Sequence, residues 1–114
     1  MSRASTLGVL DRTLSALADP QRRRVVELLS EGPRPAGDLA REAGVSAPAM
    51  SRHLRTLREA RIVEETSPEF DARVRIYRLR PQPMSHLKAW MEQTERAWSE
   101  QLLAFQAHVE GRGD

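Results

Sequence analysis

Residues 38–57 read DLAREAGVSAPAMSRHLRTL, and this stretch decides the fold. Leu39, Ala40 and Ala43 give a short helix, expected over Pro35–Ala43, a small apolar face. Asp38 sits in its first turn, where an acid suits the positive end of the helix dipole. Gly44 is a natural C-terminal stop, because glycine accepts the left-handed conformation without steric cost. Val45 then turns inward and Ser46 is placed to cap the next helix. Pro48 falls in that helix's first turn, where a missing N–H costs little. Ala40 and Ala43 are small enough for two helix backbones to cross closely, with Val45, Met50 and Leu54 filling the angle. Two helices joined in this way form a helix-turn-helix.

The second helix is expected over Ala47–Ala60, with Met50, Leu54 and Leu57 on its buried stripe. Ala47, Ser51, Arg52, Arg55 and Arg58 project elsewhere, and such a helix can offer its N-terminal half to the major groove of DNA. Ser46 and Ser51 can donate to phosphate or base edges, and Arg52 and Arg55 share one exposed face. The amides around Ala47, Pro48 and Ala49 open a helix N-terminus, which favours a phosphate. His53 lies between stripe and exposed face, so packing or hydrogen bonding is its first reading and DNA contact its second.

Outward from this core, Leu7, Leu10, Leu14 and Leu17 mark a first helix over about Thr6–Leu17. Asp19-Pro20 reads as an N-cap with proline at the first helical position, opening a helix to about Ser30 on Val25, Val26, Leu28 and Leu29. Arg22, Arg23 and Arg24 crowd its first turn, where phosphate contact and salt bridging are equally good readings. Downstream, Ile62–Thr66 is β-prone, Ser67–Ala72 is loop by composition, and Arg73–Leu79 alternates basic and apolar residues until Tyr77, as a half-buried strand does. The two strands make a small β-hairpin whose Arg73 and Arg75 point outward, toward a DNA backbone or minor groove. Pro81 and Pro83 close it. A last helix over about 83–109 carries both tryptophans.

The chain has 114 residues, which suits one domain. At 39% hydrophobic and 30% charged it can build one modest core, and pairing of subunits would help it. There are no cysteines, which excludes disulfides, thiolate metal ligands and thiol redox sensing. The net charge is only +2, and its distribution says more. Residues 46–80 hold eight Arg against five acids, whereas residues 81–114 hold three cations against five acids. The middle of the chain therefore suits a polyanion and the tail does not. No apolar run is long enough to cross a bilayer and no secretory signal opens the chain, so it is expected in the cytoplasm, away from membranes.

The ordered string Ala16-Leu17-Ala18-Asp19-Pro20 with Arg22-Arg23, Leu39-Ala40, Gly44-Val45-Ser46 with Pro48-Ala49 and Ser51, His53-Leu54, Leu57-Arg58-Glu59-Ala60 and Tyr77-Arg78-Leu79 resembles the ArsR/SmtB family of winged-helix regulators. The resemblance covers residues 14 to 90. It implies a mainly α winged helix-turn-helix with a small hairpin, in the order α-α-α-α-β-β-α, in one domain over residues 1–114. It also implies a homodimer formed through the first and last helices, with Leu7, Leu10, Leu14, Leu87, Trp90, Met91, Trp98, Leu102 and Phe105 as interface candidates. The function so implied is a repressor binding an inverted-repeat operator on double-stranded DNA. The cysteine-bearing metal motif of some members has no counterpart around Asp38–Arg41, and His86 and His108 lie too far apart for adjacent turns of one helix. Position 47, often Gln in relatives, is Ala47, and position 61, usually Gly, is Arg61. No metal or cofactor is expected, and no effector follows from the resemblance.

Two other readings remain open at this point. One is a metal- or small-molecule-responsive regulator using His, Asp and Glu. The other is a protein-interaction module with little DNA affinity, whose last helix pairs with a different subunit. Catalysis is not expected. The chain has no Gly-rich phosphate loop, nucleophile elbow or metal-hydrolase spacing, and the adjacent Glu64 and Glu65 would face opposite sides of a strand.

Overall fold

The structure is a computed structural model that describes residues 3–69, 71 and 73–112, with side-chain surroundings described within residues 8–111 of these. The elements run α1 (Arg3–Ala16), α2 (Pro20–Leu29), β1 (Arg34–Pro35), α3 (Ala36–Ala43), α4 (Ala47–Glu59), β2 (Val63–Thr66), β3 (Ile76–Leu79) and α5 (Pro81–Arg112). One core gathers Val25, Leu28 and Leu29 of α2, Leu39 and Ala40 of α3, and Met50, Leu54 and Leu57 of α4. Ile62, Val63 and Tyr77 close it from the sheet side. α1 packs on the start of the chain's last helix, beside this core.

The helix ends follow local chemistry. Asp19 Oδ1 accepts from the backbone N–H of Gln21 at 2.8 Å and of Arg22 at 3.1 Å. The Arg22 bond above all holds the Asp19 carboxyl below its ordinary pKa, against partial desolvation. Arg22 Nε donates to the Ala16 carbonyl at 2.5 Å, and Arg23 Nη1 donates to the Leu17 and Ala18 carbonyls at 2.8 and 3.2 Å. These two arginines therefore cap the end of α1, a role that neither sequence reading included. Gly44 stops α3 at φ 70° and ψ 33°, with Val45 N–H donating to the Ala40 carbonyl.

α4 ends in a second left-handed residue, and it is not glycine. Arg61 has φ 60°. Its N–H donates to the Arg58 carbonyl and that of Ile62 to the Leu57 carbonyl, both at 2.9 Å. This is the paired bonding of a Schellman stop, and the apolar contact that accompanies it is supplied by fully buried Leu57 and Ile62.

The expected two-stranded hairpin is a three-stranded antiparallel sheet in the order β1-β3-β2. β1 is two residues long, with Arg34 opposite Tyr77 and Pro35 opposite Ile76. Pro35, expected to start the third helix, lies on the sheet edge, where its lack of an N–H leaves no ladder bond unmade. The strand expected from Arg73 begins at Ile76. Pro81, expected to close the hairpin, opens α5 instead, since proline is tolerated in a helix's first turn. At 32 residues and ~1.5 Å per residue, α5 is about 48 Å long. Every residue from Lys88 to Gly111 on it is exposed.

Candidate nucleic-acid interface

α4 owes its orientation to Met50, Leu54 and Leu57, all at most 1% exposed. Rotated by that stripe, it leaves Ala47, Pro48, Ser51, Arg52 and Arg55 in solvent along one face. Ser46 Oγ accepts from the Ala49 N–H at 3.2 Å, so the residue caps α4 while its hydroxyl proton stays free to donate. His53 is half-buried and its Nε2 donates to Gln21 Oε1 at 2.7 Å. That bond ties α4 to α2, in keeping with the packing role put first for His53. Gln21 was not singled out from the sequence, because its partner lies 32 residues away and no local pattern marks the pair.

The guanidiniums of this surface fall into two groups. Among the described residues, Arg52 and Arg55 appear in no ion pair. The others have acidic partners. Arg58 Nη1 lies 3.3 Å from Glu65 Oε1 and Arg75 Nη1 lies 3.7 Å from the same oxygen. Arg78 Nε donates to Glu64 Oε1 at 2.5 Å, and Arg73 Nε lies 3.3 Å from Asp71 Oδ1. Glu65 also accepts from the buried Tyr77 hydroxyl at 2.9 Å. Burial, and then Glu65, raises the Tyr77 pKa. Arg73 is 92% exposed and Arg75 is 59% exposed at the side chain, and exposed pairs contribute only ~0–1 kcal/mol, so either arginine can exchange its acid for a phosphate.

The interface candidates on the outer helices separate as well. Leu7 lies in α1 but outside the residues whose side chains are described. Leu10 is buried within the subunit and Leu87 is half-buried. Leu14, Trp90, Met91, Trp98, Leu102 and Phe105 are 41–65% exposed. Leu103 and Val109 join them, and Leu103 lies one residue off the stripe that picked out its neighbours. Among the described residues no group of three His, Asp or Glu could hold a metal ion, and no helix is long and apolar enough to cross a membrane.

The family model described as "Bacterial regulatory protein, arsR family" matches residues 19–65, from the cap of α2 to β2. The HTH-type transcriptional regulator Rv2034 of Mycobacterium tuberculosis is 36% identical over 110 residues, 96% of this chain and 97% of its own. The transcriptional repressor SdpR of Bacillus subtilis is 34% identical over 56 residues, 49% of this chain and 62% of its own. The homodimeric winged helix-turn-helix DNA-binding domain Mb0332 of Mycobacterium bovis has a fold similar to this one, with a TM-score of 0.65 over 89% of this chain and 93% of that one at 23% identity.

Proposed function

The chain belongs to the arsR family of bacterial regulatory proteins, and from that premise we propose that it represses transcription as a homodimer bound to an inverted-repeat operator. It is a transcriptional regulator with a winged helix-turn-helix for DNA, and its family is one of regulators rather than enzymes. The observation that carries the finer reading is the pair Arg52 and Arg55, exposed on the face of α4 opposite its buried stripe and without an acidic partner among the described residues.

In this reading residues 1–114 act as one DNA-binding domain in the cytoplasm. Two copies of α4 enter successive major grooves whose half-site centres are about 34 Å apart. Ser51, Arg52 and Arg55 meet base edges and phosphates, while Ser46, Ala47 and Pro48 bring the α4 N-terminus to the backbone. Arg73 and Arg75 grip the flank by releasing Asp71 and Glu65. His53 acts through Gln21 to hold the helix at its angle. The long exposed stripe of α5 supports the pairing of two copies, and the solved homodimer of similar fold agrees with it. Repression is supported by the relative that carries that description.

Selection of bound DNA from a random pool, followed by titration of the enriched site at several salt concentrations, tests the reading. The enriched sites carry dyad symmetry. Arg52→Ala with Arg55→Ala lowers affinity at least about tenfold and flattens the log–log salt slope by about 2 where both side chains sit on phosphates. Wild-type affinity and slope in the double variant would refute the assignment of α4.

A further inference from the structure

A cavity of about 220 Å³ lies where α1, the end of α4, the end of β3 and the start of α5 meet. Its polar lining is Arg12, Arg61, Arg80, Gln82 and His86. No acid lines it. The acids nearest in the lining of the adjoining groove are Asp11 and Glu59, both solvent-exposed. None of the three arginines appears in an ion pair among the described residues. Three arginines lining one cavity with no acid among the lining residues make it electropositive, and an anion suits such a lining.

Three further features belong to residues of the same lining. His86 is half-buried, and its Nδ1 is sealed from solvent without a hydrogen-bond partner, the one such side-chain atom among the described residues. A buried polar nitrogen left unpaired is costly, because it gives up its bond to water without a replacement. Arg80 is held in place by its own N–H, which donates to the Ile62 carbonyl at 2.8 Å, and by Gln82, whose Oε1 accepts from Nη2 at 3.4 Å. Arg61, fixed by the left-handed stop of α4, completes the lining.

We infer that this cavity is a binding site for a small organic anion, a carboxylate or phosphate monoester on a compact apolar body. The anion sits among Arg12, Arg61 and Arg80. The apolar body faces Val9, Ala60 and the buried Pro83. At ~30 Å³ for each water, the space holds about seven waters, which suits a single-ring acid better than a nucleotide. A DNA phosphate is the poorer occupant. The cavity adjoins the C-terminal end of α4, roughly 20 Å along the helix from Ala47 at ~1.5 Å per residue, away from the end that meets the groove.

Calorimetric titration of the full chain, without DNA and at constant ionic strength, tests this independently of the operator reading. The probes are benzoate and phenyl phosphate, with chloride as the control anion. One of the two organic probes binds saturably below about 10 mM, and chloride does not compete at matched concentration. Arg80→Gln and, separately, the exposed Arg12→Gln weaken that binding at least about tenfold, whereas Arg24→Gln, on α2 beside Glu27, binds as the wild type does. Arg12→Gln keeps the test decisive if Arg80→Gln fails to fold. Whichever probe binds distinguishes carboxylate from phosphate. No saturable binding of either probe overturns the proposal, as it would if an acidic side chain of a second copy filled the cavity. So does binding that both cavity variants retain.

Discussion

α4 and α5 are both amphipathic in sequence, and the fold treats them oppositely. α4 buries Met50, Leu54 and Leu57 in its own subunit and exposes cations. α5 exposes Trp98, Leu102, Leu103 and Phe105 along a stretch that touches little else. An apolar stripe satisfied within the chain fixes the direction of a helix, so the guanidiniums of α4 have a defined aim. An apolar stripe left in water fixes no direction by itself, and contiguous exposed apolar surface of this kind is what the proposed pairing of two copies would cover. One helix is complete in the protomer, and the other leaves its apolar side uncovered there.

The comparison can be broken at its strong end first. Leu57→Ala removes a fully buried side chain and lowers the unfolding free energy by about 2–5 kcal/mol, read by urea denaturation. Phe105→Ala leaves the protomer fold intact by the same measure. Next, Trp98→Ala with Phe105→Ala raises the dimer dissociation constant at least about a hundredfold in sedimentation, because large aromatics dominate interface energetics. If that variant dimerises as the wild type does, the stripe of α5 is not the pairing surface.

Smaller effects sharpen the picture at the helix ends. Arg61→Gly relieves the left-handed strain and raises stability by about 0.5–1 kcal/mol in thermal or chemical melts, while weakening any anion held in the cavity. A loss of stability would mean that the Arg61 side chain contributes more than its backbone costs. The smallest effect is at the α2 cap. The Asp19 carboxyl has a depressed pKa when folded, so its contribution is present above the ordinary carboxylate pKa and is lost as pH falls through the folded value. Asp19→Ala therefore melts lower than wild type at neutral pH, and the two curves converge in acid. A gap independent of pH would remove the carboxylate from the account.

Much of the helical part was legible because its signals are local. Asp19-Pro20, Gly44 and Ser46 act within three residues of themselves, and each stands where the sequence placed it. The strand at Arg34-Pro35 was not legible. Two residues carry no periodicity, and only pairing with Tyr77 and Ile76 makes them a strand. Arg22 and Arg23 looked like phosphate ligands or ion-pair partners until the preceding helix brought its carbonyls to them. Leu10 and Leu14 looked alike, but one is buried and the other is 42% exposed.

By itself the sequence determined the order of helices, their caps, the turn at Gly44 and the cationic face of α4, since spacing of residue types along one helix is enough to define those. Tertiary structure alone decided that His53 bonds to Gln21, that Glu65 gathers Arg58, Arg75 and Tyr77, and that three arginines from separate elements share one cavity with His86. The physical reason is distance along the chain. A cap or a stripe is set by neighbours within a turn, whereas a charge cluster is made by the packing of elements whose residues have no local relation to one another.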